Sequence, residues 1–490
     1  MPASLLIALF LAFGCDSILP QVPVDRGSVP PRALEAAGEV IAVGLLALAV
    51  SAAVVRRVAR VGRPSAGARK ILGLGTRLVD AATLGGYAWV LLGLGWPEVV
   101  RSGLGLRDTV LADELLILLP YLLARVAGWW GLFPGERAVR DTELELRRPP
   151  GAARHVLLKA RQALGMVLPS VLIFSVGQDL ARLLWPESSG EPGFQMAMMA
   201  AMGALVLVLS PAFVRLSWPT SPLPPGPLRD RLGRLAARFG FRCTDILVWD
   251  TDGLVVNAGV TGALPWFRYV LLTDALIGGL DEHEVAAVFG HEVGHVRHRH
   301  LAFFGFFFVG SMGALALASD LVYAHAVKGV APWSGPNGES IAQGLVVLVL
   351  GLAYFALIFG RLSRRFERQA DVFGCRAVSC DRLACPPHLD LYSRPLAVAA
   401  AGPICPVGIR IFVNALGRVA RLNGMEPSAP SWRHGSIDRR IAFLETLEGR
   451  PEAERRFQLG TARLRAGLAL GLLAALALAF RTGAIEQIGP

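Results

Sequence analysis

The chain has 490 residues, 53% of them hydrophobic, with a mean hydropathy of +0.49. A soluble protein must cover its core with polar side chains, and few soluble domains are this apolar, so the composition argues against a soluble class. The net charge of +11 does not point to nucleic acid, because the arginines cluster at the ends of apolar runs, and six cysteines are too few for a disulfide scaffold.

Apolar runs follow one another along the chain. Residues 3–14 form the first; it lacks the basic flank of a secretory signal and reads as an uncleaved segment. Runs 40–55, 81–96, 115–133 and 163–177 are shorter than the roughly 20 residues of helix that cross a hydrocarbon core, or carry an ionisable residue. The clearest spans are 196–213, 301–321 and 341–360, and 466–480 is marginal. Loops 56–70 and 135–161 are rich in arginine, whereas 185–194 has two acids and no base. Basic loops stay cytoplasmic, so threading the spans in order puts the two long polar regions, 217–300 and 361–462, on the cytoplasmic side together. The expected organisation is an N-terminal membrane region over 1–216 with five or six helices, one polar part over 217–300, two spans over 301–360, a second polar part over 361–462, and a possible last span within 463–490.

The first polar part ends in "DEHEVAAVFGHEVGHVRHR", residues 281–299. Asp281 with Glu284 three residues on is a capping-box pattern, and Val285, Val288 and Phe289 then supply an apolar helical face. On that helix His291 and His295 are one turn apart and share a face, the separation at which two imidazoles meet one ion. Glu292 stands beside the first, where its carboxylate can reach a water on the metal, and Gly294 keeps the intervening position small enough for another helix to approach. A third ligand is expected from a separate helix. "RLSRRFERQADVFGCRA", residues 361–377, offers Glu367, with Asp371 one turn on as the acceptor that holds a ligand histidine by its other ring nitrogen. The competing arrangement pairs Glu367 and Asp371 with Arg364 and Arg368 on a solvated face.

"HEVGH", followed 72 residues on by the glutamate of "ERQAD", resembles the integral-membrane zinc metalloproteases that include the CAAX prenyl proteases and the bacterial heat-shock protease HtpX. "VNAGVTGALPWFRYVLLTDALI" is similar to that family's Asn-Ala segment and the strand before its metal helix, and "WRHGSIDRRI" resembles its C-terminal His-Pro-x-x-x-x-Arg-Ile signature, with Gly435 in place of the usual proline. The resemblance covers roughly residues 215–450. It implies a mostly α, polytopic membrane protein with a zincin-like α+β catalytic domain. It implies one Zn2+ on His291, His295 and Glu367, with Glu292 as general base. His434, with Arg440, would stabilise the oxyanion, and Asn257, with Ala258 beside it, would bind the substrate backbone. "YVLLT" (269–273) reads as a strand; as a sheet edge it would pair with an extended peptide through Leu271 and Thr273. The partners implied are a peptide or membrane-protein substrate and the lipid bilayer, without nucleic acid. The expected location is a bacterial inner membrane, with the catalytic part facing the cytoplasm.

Other readings fit less well. An intramembrane-cleaving protease of the site-2 type carries its motif inside an apolar helix, whereas this one precedes a span. A non-enzymatic sensor would not need every catalytic position filled. CAAX-type processing remains an alternative to membrane-protein quality control. His298 and His300 read as solvated interfacial residues with Arg297 and Arg299, and His283 as an exposed first-turn residue. Cys380, Cys385, His388 and Cys405 form a second conceivable metal set, although their spacing fits no standard zinc module.

Overall fold

A computed structural model describes residues 5, 7–9, 11, 12, 24, 26–107, 109–139, 151–165, 167–327, 338–379, 404–429, 431 and 433–481. The chain divides into two compact units, Met1–Pro219 and Thr220–Pro490.

The first unit is helical: α1 (Val29–Val61), α2 (Ala66–Leu92), α3 (Ala112–Val139), α4 (Ala152–Leu164), α5 (Leu168–Leu184) and α6 (Pro192–Ser217). Gly62, left-handed at φ 74°, ends α1, and the Ser65 side chain accepts from the Ala68 N–H to start α2. The loop expected over 56–70 is thus only a tight turn. Much of 135–161 is helix as well, because α3 reaches Val139 and α4 begins at Ala152. The unit's core sits where α1, α2 and α3 meet, around Val43, Ala47, Val79, Ala124 and Leu132. Asp80 on α2 pairs with Arg125 on α3, which also lies over the Trp129 ring, so these two ionisable residues satisfy each other inside the apolar runs.

The second unit opens with a four-stranded sheet: β1 (Thr220–Pro222), β2 (Asp245–Trp249), β3 (Ala258–Thr261) and β4 (Tyr269–Thr273), in the order β1-β2-β4-β3. Helix α7 (Pro227–Arg238) links the first two strands. β4 runs parallel to β2 and antiparallel to β3, with Leu271 opposite both Leu247 and Gly259. β4 is therefore a strand, as read, but internal, and β3 is the edge, so the condition under which 269–273 would pair with a peptide is not met. The chain passes over the place beside β2, forms β3, and returns through a hairpin to fill it. Asp274 secures that crossing, its carboxylate accepting from the Thr251 N–H (2.9 Å), the Thr251 hydroxyl (2.6 Å) and the Gly253 N–H (3.0 Å).

After the short α8 (Asp274–Gly279) come α9 (Glu282–Arg297), α10 (His300–Val322), α11 (Gly338–Ala353), α12 (Gly360–Ala377), α13 (Pro406–Leu422), α14 (Ile437–Glu445) and α15 (Pro451–Arg481). A π-helical stretch, Tyr354–Phe359, joins α11 to α12 without a break. α15 runs as one helix across the boundary expected at 462. The unit's core joins α9, α12, α13 and α14 through Ala287, Val372, Cys375, Ile411, Phe412 and Ile437.

Four helices among the described residues are long and apolar enough to cross a membrane: Arg26–Val61, Ala112–Val139, Gly193–Ser217 and Ala342–Ala377. Two bent pairs would raise the number to six, Ala66–Leu92 with Trp96–Gly103 (58°) and Ala152–Leu164 with Leu168–Leu184 (48°). The protein is a polytopic helical membrane protein with a small mixed sheet.

Candidate metal centre

The site is built on the packing of α9 against α12. The Asp281 side chain accepts from the N–H groups of His283 and Glu284, while the Glu284 carboxylate accepts from the Asp281 N–H, so the capping box starts α9. Small residues then let α12 come close. A Cβ on Gly290 would lie 2.3 Å from Ala377 Cβ, and one on Gly294 would lie 2.9 Å from Phe373 Cβ. His291 and His295, each next to one of these glycines, face Glu367 and Asp371 of α12.

One ligand atom from each of His291, His295 and Glu367 lies within 4.8 Å of the other two. The two Nε2 atoms are 3.1 Å apart, and the Glu367 oxygens are 3.7 Å from His291 Nε2 and 3.8 Å from His295 Nε2. Four ligands at about 2.0–2.1 Å around a tetrahedral zinc are about 3.4 Å from one another. The histidine pair is near that value and each ring has a different Glu367 oxygen a little beyond it, Oε2 for His291 and Oε1 for His295, so this donor set is compatible with zinc. Two neutral-capable imidazoles and a carboxylate leave a fourth position for water.

The charges around the site are ordered by α14. Arg440 is buried and grips Asp371 with two bonds, Nε donating to Oδ2 at 2.9 Å and Nη2 donating to Oδ1; its Nη1 is 3.7 Å from Glu367. Asp371, 0% exposed, in turn lies 2.9 Å from His291 Nδ1. The arginine that grips Asp371 through two hydrogen bonds is thus Arg440 of α14, from a different helix. Its guanidinium orients Asp371 and also stands beside Glu367. His434 sits just before Gly435, left-handed at φ 75°, and its half-exposed ring puts Nδ1 3.0 Å from Glu367 Oε1.

Burial disfavours charge on His295, and with the neighbouring His291 it holds the imidazole pKa down to about 3, leaving a lone pair for a metal. Burial opposes protonation of His291 too, but Asp371 outweighs it and the pKa is raised. Burial, aided by Glu367, raises the Glu292 carboxyl against the pull of His291, His434 and Arg440. A carboxylate with a raised pKa is a better proton acceptor at neutral pH.

Asn257 leads into the edge strand. Val256 before it is held by Asn423 of α13 through bonds of 3.0 and 2.8 Å, and the Asn257 N–H donates to Thr273 Oγ1 at 3.0 Å. The clamped backbone leaves the Asn257 side chain exposed. Ala258 opens β3, so it lies at the free edge. Leu271 and Thr273 do not: both are buried in β4, and Thr273 caps α8 through the Leu276 N–H.

His300 also departs from expectation. It is 1% exposed, not solvated, and its Nδ1 lies 3.0 Å from His295 Nδ1. Cys380, Cys385 and His388 lie outside the described residues. Cys405 caps α13, its sulfur accepting from the Gly408 N–H at 3.3 Å within the apolar core. His283 contacts Arg231, with 2.8 Å between Nδ1 and Nη1.

Fold and site together define a polytopic helical membrane protein whose second unit gathers two histidines and a glutamate that could hold a metal ion. Residues 222–446 match the family model described as peptidase family M48, and the resemblance read from the sequence is borne out. A Protease HtpX homolog of Pyrobaculum calidifontis is 31% identical over 183 residues, covering 37% of this chain and 51% of that protein. A Protease HtpX homolog of Acidiphilium cryptum is 29% identical over 173 residues, 35% of this chain and 53% of that one. A CAAX prenyl protease 1 homolog of Oryza sativa subsp. japonica is 27% identical over 212 residues, 41% and 46% of the two chains. The chain thus spans about half the length of the curated relatives it matches. The crystal structure of S. mikatae Ste24p shares the fold, with a TM-score of 0.51 over 84% of this chain and 98% of that chain at 15% identity.

Proposed function

We propose that the protein is a membrane-embedded, zinc-dependent endopeptidase that cleaves membrane proteins or membrane-associated peptides at the cytoplasmic face. The observation that carries this reading is the convergence of His291, His295 and Glu367 within reach of one ion, with Glu292 next to His291 on α9. A zinc ion held there would supply Lewis acidity and lower the pKa of a water to about 7. Glu292 takes the proton of the attacking water and passes it to the leaving amine. His434 donates to the oxyanion of the tetrahedral intermediate, a role supported by its half-exposed ring beside Glu367. An extended substrate adds to the β3 edge from Ala258, with the exposed Asn257 side chain bonding its backbone.

Glu292→Gln tests the chemistry. The amide keeps a hydrogen bond to water and cannot accept its proton, so the purified variant should retain zinc and lose proteolysis at least about a hundredfold. Turnover at the wild-type rate would sink the assignment. CAAX-type processing is the second reading of substrate, supported by the rice relative's name alone. The orientation rests on the basic bias of 56–70 and 135–161 against 185–194. In a cysteine-free background, a cysteine at Ser188 should react with an impermeant maleimide in intact cells and one at Ser428 should not; the reverse pattern inverts the topology.

A further inference from the structure

We infer that His300 is a positioning residue for His295, the neutral head of a buried hydrogen-bond relay that fixes this ligand's tautomer and ties it to α15. The inference rests on the reading of His291, His295 and Glu367 as metal ligands.

On an unbroken helix a residue five positions on stands about 140° round from the first. His300 would then face away from His295. Arg299 prevents that: its left-handed backbone, φ 54°, breaks the chain between α9 and α10, and few non-glycine residues adopt this conformation. The turn folds the His300 ring back under His295. There it stacks almost parallel on Phe366, 4.3 Å between centroids at 7°.

The polarity of the bonds has one consistent solution. His295 Nε2 faces His291 Nε2 at 3.1 Å and Glu367 Oε1 at 3.8 Å, so Nε2 is the ligand atom and carries the lone pair. The proton of the neutral ring then sits on Nδ1 and is donated to His300 Nδ1, 3.0 Å away. To accept there, His300 carries its own proton on Nε2, which points at Gln369 Oε1 at 3.0 Å. The Gln369 amide donates onward to Gln458 Oε1 at 2.6 Å. Each donor has one acceptor, and the relay runs in a single direction from the ligand to α15. His291 is supported by the anionic Asp371 and His295 by a neutral imidazole, so the two ligand histidines are held by groups of different charge. Removing His300 leaves a partly buried N–H without this acceptor and a ligand ring less constrained in rotation.

The test is zinc affinity of the full-length protein in detergent, measured by chelator competition. His300→Phe keeps the stack on Phe366 and has no acceptor; its affinity should fall about 10–100-fold, the usual effect of losing a ligand's supporting partner. His300→Asn places Oδ1 where Nδ1 stood and should recover most of that loss. The visible absorption of the cobalt-loaded protein should shift in His300→Phe and return towards wild type in His300→Asn. Should His300→Phe fail to fold, Gln369→Leu removes the next acceptor and should show a smaller loss of the same kind. Wild-type affinity in His300→Phe or, if that variant does not fold, in Gln369→Leu overturns the inference, as does a His300→Asn protein no better than His300→Phe. A wild-type protein that takes up no zinc overturns the metal reading itself, and this inference with it.

Discussion

Two helix pairs in this molecule use the same packing device for different ends. In the first unit, α3 meets α1 through Gly131 and Gly135, where a Cβ would lie 2.7 Å from Ala47 Cβ and 2.8 Å from Ser51 Oγ. In the second, α9 meets α12 through Gly290, Gly294 and Gly374, with a Cβ on the last 2.9 Å from the Ala287 carbonyl oxygen. Both contacts are too close for any side chain. At the α1–α3 contact the buried polar group is a serine, whose hydroxyl donates to the Leu132 carbonyl at 3.1 Å and accepts from the Gly135 N–H at 2.8 Å. At the α9–α12 contact the neighbours of the glycines are His291 and His295, and the facing residues are Glu367 and Asp371. Glycine sets how near two helices come. The side chains beside and opposite the glycines decide whether the interface only holds the fold or also brings candidate ligands together.

Substitutions can break this comparison. The largest effect is expected from Glu367→Ala, which leaves two ligands and should abolish zinc retention on purification, as His291→Ala or His295→Ala should. Gly294→Leu comes next. It wedges α12 away from α9, opens the ligand triangle, and should cut zinc per folded molecule strongly while costing about 1–3 kcal/mol of stability or more. Gly131→Leu should cost a similar amount of stability and leave zinc per folded molecule unchanged. Metal analysis of the monodisperse fraction together with melting temperatures decides the matter. Equal zinc loss in Gly131→Leu and Gly294→Leu would show that the two interfaces do not differ as described.

The smallest effect sharpens the same contrast through pH. In chelator-treated protein, burial holds His295 and His300 near a pKa of about 3, below the ordinary value of about 6.5. Between those values the unfolded chain binds more protons than the native one. Stability from these groups is therefore complete above about pH 6.5 and is lost as pH falls towards 3, by up to about 1.4 kcal/mol per pH unit for each. His291, whose pKa is raised, contributes with the opposite sign and softens the slope. Melts of the metal-free protein from pH 7 to pH 5 should fall with acid, less steeply in His300→Phe, and with unaltered slope in Gly131→Leu. An unchanged slope in His300→Phe would remove His300 from the acid-sensitive set.

The reading of α9 from sequence succeeded because its evidence was local. The Asp281–Glu284 capping box, the shared face of His291 and His295 and the small Gly294 all follow from helical periodicity over a few residues, and the structure shows each of them. The run 341–360 likewise leads into the helix that carries Glu367. Site roles beyond geometry came from resemblance and stand as proposals.

Three features were legible only in three dimensions. Whether β4 is an edge depends on which strand returns to lie beside it, and the hairpin from β3 takes that place. The partner of Asp371 is Arg440, 69 residues away, although Arg364 and Arg368 are nearer in sequence; which arginine wins depends on where α14 docks. His300 reaches His295 because one left-handed residue, Arg299, overrides the periodicity that would have turned it away. The sequence by itself determined the helices, their apolar faces and the one-turn spacing of His291 and His295, because neighbours along a chain are related by fixed backbone geometry. Strand order, the buried arginine's choice of carboxylate and the fold-back of His300 were decided by tertiary packing, because contacts between distant residues are selected by the space that docking elements leave, and periodicity carries no record of that space.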